Sequence, residues 1–297
     1  MMTGLSTMLQ EAEPAAQGSP DLGGTLMTKV MDAPYVEIYK WKFTLPNWEP
    51  IQLGPVAIDL SITKHTAFLM LAALLLMVFL PLVARGFRSS FSDRAPTGFA
   101  NAVEAFVLYF RDEVVRRTIG HDGDHYTPFI LSIFFLILFM NLLGLLPYGA
   151  TATGNISVTA ALALVAFLTI EISGMRALGF SGYMGTIFYA PKGMGPVGRG
   201  LMMVIMTPVE FLGKFTKPFA LAIRLFANMT AGGILLYSLI GLIMVFGDLA
   251  LARWGIAGAS VTMASAILLL KIFVAFLQAY IFALLTAVFI GLVRHAH

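Results

Sequence analysis

Arg224 lies near the middle of an apolar stretch that runs from Leu201 to Phe246, inside the segment Leu221-Ala-Ile-Arg224-Leu-Phe-Ala-Asn228. A permanently charged guanidinium at that depth opposes membrane insertion by roughly 3 kcal/mol on insertion scales. The chain around it is built for lipid: 58% of residues are apolar, 12% are charged, and the mean hydropathy is +0.84. Such a composition describes a polytopic membrane protein. Without strand-length alternation there is no barrel pattern, so helices must satisfy the backbone in the hydrocarbon.

Composition also excludes some chemistry. With no cysteine in the chain there are no disulfides, thiolate ligands or cysteine nucleophiles. The net charge of +3 is small and its bases lie in loops and helix ends, so no nucleic-acid partner is expected. His65, His121, His125, His295 and His297 fall in flanks or loops, and no HExxH motif, P-loop or Gly-x-Ser-x-Gly elbow occurs. Neither a metal nor a cofactor is expected, and no catalytic residue is assigned.

Residues 1–60 form a polar N-terminal arm, rich in acids, prolines and glycines and without the charge pattern of a signal peptide. The membrane domain, 61–297, contains five expected crossings, at about 66–84, 129–147, 156–175, 201–246 and 261–293. Between the first two, Ala100, Val103, Phe106, Val107, Phe110 and Val114 recur at helical spacing, which predicts an amphipathic interfacial helix over about 97–118. At a rise of 1.5 Å per residue the last two runs would extend about 69 Å and about 50 Å, so they are expected as a hairpin of tilted or bent helices, with bends at Pro208 and Pro218. The fold class is therefore an all-α polytopic membrane protein.

Six arginines in 85–128 and the bases Arg176, Lys192 and Arg199 in 176–200 assign those loops to the cytoplasm, whereas 148–155 carries no base. Five crossings then leave the N-terminal arm outside and the C-terminal tail inside.

Glu210, Lys217 and Arg224 are seven residues apart. Successive members rotate by only about 20° and stand about 10 Å apart on one stripe. Asn228 continues near that face at i+4, Gly232 and Gly233 leave a thin surface for a packing helix, and Lys271 and Gln278 repeat the seven-residue offset on the last helix. Bland alternatives stand beside the functional ones. Lys214 and Lys217 have the placement of interfacial snorkels. Glu210 and Lys214 have the spacing of a local ion pair. Asn141, Thr159, Asn228 and Gln278 suit interhelical hydrogen bonding. Arg224 has no acid between Glu210 and Asp248 on its own helix. A structural ion pair for it requires the distant Glu171 or another subunit.

The segment Met206-Thr-Pro-Val-Glu210-Phe-Leu-Gly-Lys-Phe-Thr-Lys217-Pro-Phe-Ala-Leu-Ala-Ile-Arg224-Leu-Phe-Ala-Asn228-Met-Thr-Ala-Gly232 resembles subunit a of bacterial F-type ATP synthases. So do Phe139-Met-Asn141-Leu-Leu-Gly-Leu-Leu-Pro147, Thr153-Gly-Asn155-Ile-Ser-Val-Thr159 and Phe276-Leu-Gln278-Ala-Tyr-Ile-Phe. The likeness spans roughly residues 60 to 295. It implies a non-catalytic, proton-translocating stator subunit in the bacterial plasma membrane. Its partners would be a rotating ring of c subunits, b-type peripheral stalk subunits and the remaining ATP synthase subunits. Protons, with sodium as the other ion used in the family, would be carried.

Arg224 would face each passing ring carboxylate, keeping it ionised and blocking a leak between two offset half-channels. The resemblance assigns Glu210 and Lys217 to the cytoplasmic half-channel. It assigns Asn141, Thr159, Asn228 and Gln278 to the outer one or to the surroundings of the arginine. Three positions depart from many relatives: Gly233 replaces an acid or histidine, Lys271 a histidine or glutamate, and Gly144 an acid seen in some. The outer relay is accordingly expected to use Lys271 or to lean on water, hydroxyl and amide groups. A secondary transporter or antiporter with an intramembrane Arg–Glu site is the alternative reading, although no inverted repeat is visible. A purely structural scaffold leaves the arginine without a cause.

Overall fold

The computed structural model describes residues 32–38, 41–46, 48, 51–53, 56–58, 61–90, 99–146, 149–188, 195–245 and 252–295. Six long helices account for most of them: α1 (Lys64–Ser90), α2 (Phe99–Tyr109), α3 (Thr127–Leu143), α4 (Ile156–Ile187), α5 (Pro196–Val245) and α6 (Ala252–Arg294). Five are long and apolar enough to cross a membrane, all but α2. The expected all-α polytopic architecture is the one observed.

Several boundaries differ from the sequence expectation, each for a local reason. The second crossing ends at Leu143 rather than near 147, because the amides of Leu145 and Leu146 switch to i−3 carbonyls at 3.0 and 3.3 Å and tighten the chain into a turn. The third runs beyond 175 to Ile187, interrupted at Gly179, whose φ of 70° and ψ of 165° lie outside helical space and favour glycine. Its start is fixed by Asn155, whose side chain accepts the Ser157 amide at 2.9 Å as an N-cap. The fifth begins at Ala252 instead of about 261: Gly255 and Gly258 weaken the local helix preference but do not break it. Helix α5 is one continuous element of 50 residues despite Pro208 and Pro218, so the long run counts as a single crossing.

The N-terminal arm holds strands as well. β1 (Tyr35–Ile38) pairs antiparallel with β2 (Trp41–Thr44), and β3 (Ile51–Leu53) with β4 (Val56–Ile58). The arm is anchored to the head of α1, where Lys64 donates its amide to Ala33 O at 2.9 Å. Residues 1–31 of the expected arm lie outside the described residues.

The interfacial helix is present as α2, followed by a π-helical stretch Phe110–Arg116 and a last turn Arg117–Ile119. Its apolar face enters the core: Phe106, Phe110 and Phe134 have ring centroids 4.8 and 4.9 Å apart in sequence. Its polar face carries Arg116 bonded to Asp124 at 2.6 Å and to Asp112 at 3.0 Å, and Arg117 bonded to Glu113 at 2.7 Å. The Arg111 hydrogen bond holds the Asp112 carboxyl below the ordinary carboxylate range, which keeps this patch zwitterionic near neutral pH.

Helix α6 packs against α3, α4 and α5. Ala275, Ala279, Ala283 and Ala287, spaced by four, are fully buried and let neighbours approach closely. Gly291 continues the row, and a Cβ there would overlap the Thr118 carbonyl oxygen. Gly291→Val is expected to destabilise the subunit by about 1–3 kcal/mol. Gly185→Val, which meets nothing within 4 Å, is expected to leave it unchanged. Thermal unfolding of the detergent-solubilised complex checks both.

Candidate functional site: an arginine face between two polar cavities

Arg224 projects from the outer face of α5 and is exposed. Around it on the same helix face stand Ala220, Ala227 and Ala231, at i−4, i+3 and i+7, all exposed. Small side chains there leave the guanidinium proud of its surroundings, while the larger Phe219 and Ile223, 66% and 41% exposed, flank it. Among the described residues no ion pair joins Arg224 to a carboxylate.

The in-chain acid that had the best claim on Arg224, Glu171, is committed elsewhere. Its Oε2 lies 3.4 Å from Lys214 Nζ, with the two side chains 13% and 8% exposed. Lys214 Nζ also donates to the Tyr183 hydroxyl at 2.9 Å. Lys214 therefore points into the bundle toward α4. It is neither a snorkel nor the partner of Glu210, and Glu210 is exposed. The signal for this pair was available: Glu171 is an acid inside an apolar crossing, and such a group takes a partner. The partner itself is set by helix packing.

The stripe read from seven-residue spacing is only partly kept. Glu210 and Arg224 are exposed, whereas Lys217 is half-buried, its Nζ 5.3 Å from the centroid of the Phe289 ring on α6. Lys217 lines a small cavity with Glu171, Lys214, Pro218 and Phe289, on the N-terminal side of Arg224 along α5.

On the other side of Arg224, α5 and α6 bring their polar residues together. Asn228 Nδ2 donates to Gln278 Oε1 at 2.9 Å. Lys271 lies against Gly232, where a Cβ would stand 3.2 Å from Lys271 Cε, a distance that fixes how near the helices come. Asn141 is fully buried, donating to Ala275 O at 3.3 Å and accepting from the Thr153 hydroxyl at 2.6 Å. Thr159 is buried too, and its hydroxyl returns to Ile156 O on its own helix at 3.0 Å. A second cavity is lined by Thr230, Gly233, Tyr237, Lys271, Gly144, Thr151 and His65. Sequence reasoning placed His65 in a flank and passed over it, because nothing in its spacing ties it to α5. No group of His, Asp and Glu suited to holding a metal ion occurs among the described residues.

Comparison with known proteins identifies the family. The family model described as ATP synthase A chain matches residues 66–291. The chain belongs to the ATP synthase A chain family. The ATP synthase subunit a of Chloroherpeton thalassium is 46% identical over 250 residues, covering 84% of this chain and 71% of the relative. That of Myxococcus xanthus is 44% identical over 287 residues, covering 88% and 90%. That of Chlorobium phaeobacteroides is 41% identical over 276 residues, covering 93% and 77%. Membership makes the chain a multi-pass membrane component of the ATP synthase complex, engaged in ATP synthesis and proton transport. It also displaces the secondary-transporter reading, whose Arg–Glu site would need an acid that Lys214 already holds.

Truncating one partner of a buried ion pair leaves the other uncompensated, typically at a cost of about 3–5 kcal/mol. Lys214→Met is expected to lower the stability of the subunit by that order. The double variant Lys214→Met/Glu171→Gln is expected to recover most of the loss, as a double-mutant cycle on thermal stability will read.

Proposed function

We propose that this subunit is the stator half of a rotary proton channel. In this reading Arg224 meets the carboxylates of a rotating c-subunit ring, and two half-channels, offset across the membrane, load and unload them. The observation that carries the reading is an exposed intramembrane guanidinium with no carboxylate partner among the described residues, set along α5 between two cavities, one lined in part by Glu171, Lys214 and Lys217 and the other by Thr230, Tyr237, Lys271 and His65. A charge left in hydrocarbon needs a counter-ion, and the small exposed side chains around Arg224 admit the close approach of another helix. A ring carboxylate arriving there would be held ionised by the guanidinium, which itself never gives up its proton. Proton release is then forced before the carboxylate reaches Arg224, and recapture can occur only after it has passed.

Lys217, Glu171 and Lys214 line the inner path, and Glu210 stands at its exposed edge. Asn228 and Gln278 border the arginine on the outer side. Lys271 contributes either a relay or a fixed charge, and Asn141 and Thr159 brace the helices that enclose the outer path. The b-type stalk subunits would hold this chain against the ring's rotation. Positive-inside placement puts the C-terminal tail in the cytoplasm and the N-terminal arm outside.

With Arg224→Ala in the intact complex, ATP-driven proton pumping is expected to vanish while the subunit remains assembled. Passive proton conductance through membranes stripped of the catalytic head is expected to persist or rise. Unchanged pumping sinks the reading. Lys271→Met separates the two outer-path options: retained proton-driven ATP synthesis fits a mainly water-borne path, and abolished synthesis makes the lysine a required group. Topology is accessible because the chain has no native cysteine. Asp122→Cys should react with an impermeant thiol reagent only from the cytoplasmic side, and Trp48→Cys only from outside.

A further inference from the structure

We infer that His65, at the head of α1, is the group that passes protons between the outer surface and the cavity beside Lys271. This rests on the half-channel reading above and names a carrier for its outer half.

Burial and orientation make the case first. His65 is 5% exposed and lines the cavity together with Thr230, Gly233, Tyr237 and Lys271. Its Nδ1 lies 2.9 Å from the Thr151 carbonyl oxygen. A carbonyl only accepts, so Nδ1 carries the hydrogen, and Nε2 is left with a lone pair to take up a proton. Imidazole is the side-chain type that exchanges protons in the neutral range.

The surroundings connect the ring to both sides. Outside, the exposed carboxylate of Asp32 accepts the His65 backbone amide at 3.2 Å through Oδ1 and the Asn155 amide at 3.0 Å through Oδ2. An anion is thus fixed against the His65 backbone on the outer side. Inside, Gly154 leaves a gap whose walls are His65 and Thr230: a Cβ placed there would lie 3.8 Å from His65 Cε1 and 4.0 Å from Thr230 Oγ1. The Thr230 hydroxyl is buried without a hydrogen-bond partner among the described residues. The cavity measures about 50 Å³, and about 10–15 Å³ of such space holds one water, so a short water file fits between the ring and α5. The charged and titratable groups around His65 are Asp32 from the arm, Tyr237 from α5, Lys271 from α6, and Lys64 beside it on α1.

The step balances without a co-reactant. A hydrated proton at the outer side passes to Nε2, leaving water behind and forming the imidazolium. Nε2 then releases that proton to water deeper in the cavity, and the ring returns to its Nδ1–H form. Thr230 can orient the receiving water, and Asn228, bonded to Gln278, lies two residues nearer Arg224 along α5.

His65→Gln removes proton exchange but keeps an amide able to donate to Thr151 O. In the intact complex, proton-driven ATP synthesis and passive conductance through head-stripped membranes are expected to fall about a hundredfold, the lower range of a lost proton-transfer group. Subunit content should be unchanged. Gly233 lines the same cavity and has nothing within 4 Å of a built Cβ, so Gly233→His in the His65→Gln background should restore conductance. Parental conductance in His65→Gln overturns the inference, and so does a defect, in conductance or in assembly, that Gly233→His leaves unrelieved. Arg224→Ala separates the two levels. Pumping retained with Arg224→Ala defeats the stator reading, whereas pumping lost there with parental conductance in His65→Gln defeats the role of His65 alone.

Discussion

Every ionised side chain inside the hydrocarbon must find a counter-charge or water, and the ion pair between Glu171 and Lys214 decides how that requirement is met here. With α4 and α5 packed together, the acid of one crossing neutralises the inward base of the next at 3.4 Å. That contact also consumes the nearest internal anion. Arg224, two turns and more further along α5, is left on the outer face with its charge unanswered, and the polar organisation of the α5–α6 hairpin is arranged around that fact.

The hairpin itself is held at a distance set by glycine and lysine. Gly232 offers no side chain, the aliphatic stem of Lys271 lies against it, and Asn228 reaches Gln278 across the same interface. Along α6, fully buried alanines at four-residue spacing continue the row that Lys271 begins, and α3 and α4 also pack against this helix. Small and polar residues thus occupy adjoining faces of one helix. Cavities remain where the packing cannot close: one around Lys217 and Glu171, the other beneath His65 and Gly233. Arg224 lies between them along α5.

The N-terminal arm joins this arrangement through backbone hydrogen bonds rather than bulk. Asp32 and Ala33 bond to the head of α1, and Asp32 also holds Asn155, the N-cap of α4. The polar arm is therefore a tether between two crossings at the mouth of the outer cavity, where an acid is in contact with solvent.

The sequence by itself determined that the chain crosses a membrane as helices, roughly where those helices lie although some ends moved by about a dozen residues, and that Arg224 is the charge needing an explanation. Hydropathy and helical period are local properties, and local spacing also gave α5 and α6 each a polar stripe able to face the other. It failed where neighbours outweigh spacing. Lys214, four residues from Glu210, pairs instead with Glu171, and Lys217 turns toward Phe289. The hairpins of the arm and the helical start at Ala252 were hidden by glycines and polar residues whose preferences the surrounding structure overrides. His65 was the largest omission, because a residue on α1 reaches a cavity of α5 and α6 only through folding. Which acid meets which base, and which side chains share a cavity, are decided by the packing of helices distant in sequence, since a charge in lipid selects its partner by proximity in space.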